Sequence, residues 1–411
     1  MKPMPTLDEL RRNRAGVLSI AAQMTLALAI LCNALFVIHE MTAWMNRPTG
    51  IDEPDIFVIE STATGDHQAW APREKADLAA LRALDGVVDA YATNSVPLNN
   101  AGNSVALKLT SDQEQPTTMA ALYYTGAEGL KTLGLQLIAG RTFAPDEVGY
   151  LDPANPAAML AEPGVVIVTS ALARKLYPHG GALGRPVFLQ GDPASMRIVG
   201  IVKRLQVPWT AVAGWGSTFS GDSLLIPGQL VQKYVLYVVR VRPGRLAAVE
   251  KAAVGTLQTL DRLRTIGGPY TMAQKRERAY RDDRGLSLFL AVITSCLLGV
   301  TAAGIVGLTS YWVAKRKRQI GIRRALGATR GGIIWYFLGE NLLITLVGVI
   351  AGIFLAVALN LWVISAFALP RIPVGYLAGG AVALIALGQL AALWPAWRAA
   401  SIPPAIATRS A

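Results

Sequence analysis

The sequence predicts an α-helical membrane protein with four transmembrane helices and a large mixed α/β extracytoplasmic domain. Three observations lead there. Residues 15–38, 285–314, 341–370 and 372–397 carry no charged side chain, and each run exceeds the roughly 20 residues that cross a hydrocarbon core of about 30 Å. Between the second and third runs, Lys315 to Arg330 holds seven basic residues and no acid. Between the first and second, residues 39–284 mix 25 basic with 24 acidic groups, as a folded water-exposed domain does.

The basic stretch sets the topology, because Lys and Arg near membrane ends resist translocation. It stays in the cytoplasm, so residues 1–14 are a cytoplasmic N-terminus and 15–40 the first span. Arg11, Arg12 and Arg14 precede that span as in a signal peptide. Its 24 uncharged residues exceed a signal h-region and no small-x-small site closes it, so it reads as an uncleaved signal anchor. Residues 41–284 lie outside, 285–314 return, 315–332 form a cytoplasmic loop, 333–369 and 372–396 are the third and fourth spans, and 397–411 a cytoplasmic tail.

The whole chain has 411 residues, a net charge of +12, 52% apolar and only 16% charged residues, against about a quarter charged in soluble domains. The excess positive charge sits at membrane flanks, where it meets anionic headgroups, and residues 39–284 are nearly neutral. Nucleic-acid binding is therefore excluded. Cys32 and Cys296 fall inside spans and read as packing residues, with no disulfide framework or metal spacing.

Along the external segment, Asp55–Glu60 is a strand by its β-branched and aromatic content. Arg73–Leu84 is a short amphipathic helix with Leu78, Leu81 and Leu84 on one side. Val87–Tyr91 is a second strand, and Val105–Leu109 an alternating, half-buried one. A Gly- and Pro-rich texture then holds the strand Val165–Val168, a helix from Ser170, and the strand Arg197–Val202. Finally Val235–Val241 and a helix over 245–263 repeat the opening strand-then-helix unit. An outer subdomain (45–138 and 230–284) interrupted by an inserted one (139–229) is the simplest organisation.

With these features the chain resembles permease subunits of MacB/FtsX/LolC-type ABC transporters. Arg318-Gln319-Ile320-Gly321-Ile322-Arg323-Arg324-Ala325-Leu326-Gly327-Ala328-Thr329 is similar to the family's R-E-I-G-I-x-R-A-L-G-A loop, with Gln319 in place of Glu. Gly134-Leu135 to Gly140-Arg141-Thr142-Phe143, Leu172–Tyr177 with Leu183-Gly184-Arg185-Pro186, and Trp394–Ala400 through Pro404-Ala405 match further family segments. The resemblance implies a porter-like periplasmic domain with an insertion, a stalk made by the first two helices, and a dimer of permeases, the same or related. It also implies a separate homodimeric cytoplasmic ABC ATPase that binds ATP-Mg, in the bacterial inner membrane. A periplasmic adaptor and an outer-membrane channel are further partners in some assemblies of this kind.

The cytoplasmic loop also argues for itself. Ile322, Ala325, Leu326 and Thr329 fall at i, i+3, i+4 and i+7, one weakly apolar helical face. Arg323, Arg324 and Arg330 lie off it, where they can reach carboxylates or phosphates. Gln319 through Thr329, including Ile320, Gly327 and Ala328, are the candidate ATPase-coupling residues; an inert stop-transfer loop is the alternative. Glu340 and Asn341, near the cytoplasmic start of the third span, are either functional or interfacial beside basic neighbours. Asn33, Asn360 and Gln389 suit interhelical hydrogen bonds, and Gly348 with Gly352 forms a G-x-x-x-G that marks either close packing or chance. Trp209, Trp215 and Phe219 form either an exposed periplasmic ligand loop or part of a core.

The sequence contains no phosphate loop, no H-E-x-x-H and only three His, and Ser170 and Ser195 lack a nucleophile-elbow context. No catalytic, cofactor or metal site is expected. Two functions compete: an ATP-driven permease that exports or extracts an amphipathic compound, peptide or lipoprotein, and a signal transmitter that activates a cell-wall hydrolase or senses a peptide.

Overall fold

A computed structural model of the chain describes residues 14–152, 164–191, 194–210, 218–367 and 371–401. In chain order the elements are α1 (Arg14–Met45), β1 (Ile56–Thr62), α2 (Trp70–Arg82), β2 (Val87–Thr93), β3 (Asn103–Lys108), β4 (Thr118–Thr125), α3 (Gly129–Leu133), β5 (Leu137–Gly140) and β6 (Gly149–Leu151). Then come β7 (Val165–Thr169), α4 (Ser170–Leu176), β8 (Pro186–Leu189), β9 (Ser195–Val202), β10 (Ser223–Leu230), β11 (Tyr234–Val241), α5 (Leu246–Leu260) and β12 (Thr265–Thr271). The last are α6 (Met272–Ala279), α7 (Arg281–Lys315), α8 (Lys317–Ala325), α9 (Arg330–Phe367) and α10 (Val374–Ala400). Two compact units result, Met45–Asp282 and the membrane unit of Met1–Trp44 with Asp283–Ala411.

In the membrane unit α1, α7, α9 and α10 are long and apolar enough to cross a bilayer. The most enclosed is α1: half of its apolar window is buried, against 17–33% in the other three, so they pack against it, while Leu18, Leu26 and Leu35 of α1 stay exposed. Met24, Ala27, Leu28, Ala29 and Cys32 are fully buried on it. Side-chain contacts fix the relative directions. Gly16 of α1 meets Leu308 and Trp312 of α7, while Met41 lies 3.6 Å from the Ser287 hydroxyl, so the pair is antiparallel. Gly348 faces Met24, Gly352 faces Leu28, and Asn33 donates to the Ala356 carbonyl at 3.1 Å, so α1 and α9 are parallel. Asn341 donates to the Gly388 carbonyl at 3.0 Å, and Asn360 accepts from the Ile372 amide at 3.0 Å, so α9 and α10 are antiparallel. The G-x-x-x-G is therefore a real helix crossing: a Cβ on Gly348 would come within 2.6 Å of Met24 Cβ. Such close approach is what small residues provide where lipid supplies no hydrophobic drive to association.

The extramembrane unit contains two sheets. The smaller has strand order β12-β1-β11-β2, antiparallel throughout. With α2 between β1 and β2, and α5 between β11 and β12, it is a split βαβ pair of ferredoxin-like topology. Phe57, Ile59, Ala90, Ala92, Tyr237 and Val239 point from the sheet onto Leu78 and Leu81 of α2 and Val249, Ala253 and Leu257 of α5. The repeated strand-then-helix pattern thus closes into one two-layer body. Under it lies a polar cluster: Arg264 binds Asp77 through two hydrogen bonds of 2.6 and 2.8 Å, with both side chains 1% exposed, and Tyr237 donates to the same carboxylate at 2.7 Å. Glu74, one turn before Asp77, is 4% exposed. Burial, then the neighbouring Asp77 charge, pushes its carboxyl up to about 7.

The larger sheet runs β4-β3-β8-β9-β7-β10-β6, with β5 on β9. Because β10 also pairs in parallel with β4, from Ser223↔Ala121 to Pro227↔Thr125, six strands form a closed circuit. Leu107, Leu122, Val166, Val187, Ile198 and Leu224 fill it, with Leu172 and Leu176 of α4 packed into the same core. This corrects the subdomain boundaries expected from sequence. The inserted part begins with β3, well before residue 139, because β3 and β4 belong to the larger sheet. The alternation of Val105–Leu109 shows that one face is buried but not which sheet buries it; the pairing of β3 with β8, and of its neighbour β4 with β10, far along the chain, decides that.

Candidate coupling site

The basic stretch folds as a short helix, α8, between two membrane helices, and its ends are built by local chemistry. Arg316 stands alone between α7 and α8, with φ −99° and ψ 12°. At the other end Gly327 takes φ +94°; its amide bonds to the Arg324 carbonyl at 3.1 Å, and the Ala328 amide to Arg323 at 3.0 Å. That pair of bonds is the Schellman helix stop, which needs a left-handed residue. A Cβ at Gly327 would touch nothing within 4 Å, so glycine serves the backbone angle alone. Thr329 then caps α9, its hydroxyl accepting from the Gly332 amide at 3.1 Å.

The helix has two faces. Inward, Ile320 is 6% exposed and joins Val313, Ile333, Phe337, Ala396, Ala399 and Ala400 in one cluster, a burial worth about 2 kcal/mol. One turn on, Arg324 Nη1 donates to the Ala400 carbonyl at 2.9 Å, a cation at the end of α10 where helix carbonyls lack partners. The Arg323 guanidinium lies 5.2 Å from the Tyr336 ring centre of α9. At the helix start, Arg316 binds Glu340 of α9 through bonds of 2.8 and 3.2 Å. Outward, Gln319 and Ala325 are exposed, with Ile322 48% and Leu326 82% exposed. A clamped helix thus shows an exposed apolar pair, with Lys317, Arg318 and Arg323 exposed on the same short helix.

Most of the sequence-derived face stands together, with two corrections. Thr329 leaves it, because the stop at Gly327 breaks the helical register and gives Thr329 to α9. Arg324 does not reach outward; it faces α10 through the Ala400 carbonyl. The inner face was the missed part: Ile320 and Arg324, at i and i+4, signal it, but a single Ile beside six cations does not read as a docking stripe. Glu340 is buried, 3% exposed, and the basic neighbour that binds it is Arg316, before α8.

The two described members of the aromatic loop pack on each other. Phe219 is 2% exposed and meets Trp209 edge to face at 5.8 Å between ring centres; Trp215 lies outside the described residues. Among the described residues no group of three or more His, Cys, Asp or Glu is placed to hold a metal ion.

Four spanning helices, a mixed α/β external body and a short basic helix between the second and third spans define a membrane permease with a large extramembrane domain. Residues 21–256 match the MacB-like periplasmic core domain and 291–404 the FtsX-like permease C-terminal domain. The chain belongs to this MacB/FtsX family of ABC-transporter permeases. It is similar to the macrolide export ATP-binding/permease protein MacB of Chromobacterium violaceum, 28% identical over 58% of this chain and 35% of the relative. It is also similar to the uncharacterized ABC transporter permease YknZ of Bacillus subtilis, 25% identical over 67% and 66%. The chain spans little more than a third of the MacB relatives it matches. The crystal structure of the periplasmic region of MacB from Actinobacillus actinomycetemcomitans aligns over 53% of this chain and 90% of that one, at 16% identity and TM-score 0.35.

Proposed function

We propose that the chain is the membrane subunit of an ATP-driven machine, in which a separate cytoplasmic ABC ATPase dimer, holding ATP-Mg, pushes on α8. The membrane helices pass that displacement to the extramembrane body, which exports or extracts an amphipathic compound, peptide or lipoprotein. In this reading the protein sits in the bacterial inner membrane with both termini in the cytoplasm and works with a second permease, the same or related. A periplasmic adaptor and an outer-membrane channel complete the path where the compound must leave the periplasm.

One observation carries the proposal: Ile322 and Leu326 are exposed on a helix whose opposite face is fastened to α9 and α10. A stop-transfer loop needs charge alone; a docked helix with an apolar outer pair suits a protein partner that pushes on it. The alternating helix directions and the seven basic residues at one membrane face support the orientation. Leu326→Asp tests it. The variant should insert normally yet recover about five- to thirtyfold less ATPase on purification, since losing an exposed apolar anchor costs roughly 1–2 kcal/mol of association. Undiminished ATPase recovery with Leu326→Asp sinks the proposal.

A further inference from the structure

Glu340 is the carboxylate that α9 buries within its apolar length. A charge there is costly unless paired, and its partner comes from a particular place. Arg316 is the residue between the end of α7 and the start of α8, and it binds Glu340 with two guanidinium nitrogens on two carboxylate oxygens. A single bond would act as a pivot; a bidentate pair also resists rotation, because the planar fork and the carboxylate must stay coplanar. Buried pairs of this kind add little net stability over apolar residues of the same size, but they fix geometry.

The contacts continue from that point along α9. Asn341, next to Glu340, donates to the Gly388 carbonyl of α10 at 3.0 Å. Gly348 and Gly352, two and three turns further, let α9 lie directly on Met24 and Leu28 of α1, and Thr25 of α1 donates to the Gly348 carbonyl at 3.1 Å. Packing this close leaves no compressible layer, so a shift of α9 moves α1 with it. We infer that Arg316 and Glu340 are a positioning pair that makes α8 and α9 move as one body, and that α9 hands this displacement to α1 at Gly348 and Gly352. The inference rests on α8 being the helix on which the ATPase acts.

The test uses the full chain in lipid nanodiscs with the ABC ATPase that co-purifies with it. Three quantities are read: ATPase recovered per permease, the permease-dependent change in ATP hydrolysis, and the thermal midpoint. Glu340→Gln should recover ATPase to within about twofold of wild type, since Glu340 is remote from the outer face of α8. Its permease-dependent change in hydrolysis should fall by about tenfold, within the range for mutations along a coupling route. Arg316→Glu and Glu340→Arg should each lose coupling, and the double variant Arg316→Glu/Glu340→Arg should regain at least about half of it, as a direct pair requires. Retained coupling in Glu340→Gln overturns the inference. So does a folded double variant without coupling, which also decides the matter if the single variants fail to accumulate. Leu326→Asp keeps the two readings apart: if it loses the ATPase while Glu340→Gln keeps full coupling, only the positioning pair is wrong.

Discussion

Glu74 gives the extramembrane unit a pH dependence of definite sign. The carboxyl is 4% exposed, one of its oxygens has no hydrogen-bond partner, and Asp77 lies one turn away on the same helix. Burial and that neighbour raise it from an ordinary 4.5 to about 7. A carboxyl held above its unfolded value favours the fold while both states are protonated, and the advantage disappears as pH rises through the folded value. At about 1.4 kcal/mol per pH unit, the stability lost between pH 4.5 and pH 7 is about 3 kcal/mol. Glu74→Gln keeps the shape and removes the titration. Thermal unfolding of the full chain in detergent, followed by intrinsic fluorescence, would compare the two proteins at pH 5 and pH 8. The midpoints should lie close together at pH 5 and differ by about 5–10 °C at pH 8, with the variant higher, since 1 kcal/mol moves a unit of this size by about 2–4 °C. Parallel pH profiles for the two proteins would refute the reasoning.

Two further perturbations follow from packing. Asp77→Ala leaves the buried Arg264 guanidinium and the Tyr237 hydroxyl without their shared acceptor; urea unfolding of the extramembrane unit should show a loss of about 3–5 kcal/mol. Gly348→Val places a side chain where Met24 Cβ and the Ala21 carbonyl already stand, at 2.6 and 2.8 Å from the first added carbon. Overpacking should lower the detergent-solubilised stability by about 1–3 kcal/mol, read as an earlier aggregation temperature, and the same change at Gly299, which has nothing within 4 Å, should not.

The four spans were legible because a membrane imposes one long, uncharged requirement on each, and runs such as 285–314 satisfy it without ambiguity. The strand-then-helix units were also legible, since Phe57-Val58-Ile59 and Val235–Val241 are β-branched and aromatic while Leu78 and Leu81 keep helical spacing. Sheet membership was not: β3 pairs with β8 across about eighty residues, and alternation carries no address. In the loop, the outer pair Ile322 and Leu326 could be read from period alone. The inner face could not, because Ile320 is buried by Ala396 and Ala399 from the far end of the chain. Glu340 was recognisable as unusual, but its partner depended on where α7 stops, and a run of cations offers seven candidates.

The split of the smaller sheet constrains how the chain is made. β1 and β2 are synthesised first, yet β11, which must lie between them, and β12, which must flank β1, are made only after everything from Thr93 to Tyr234. Until then two strands wait with exposed edges, the condition that invites misassociation. The six-strand circuit, whose strands all lie within that interval, can close on its own during the delay. Synthesis in chain order therefore favours a middle-first assembly, with the split sheet sealed last, just before the second long apolar helix is made.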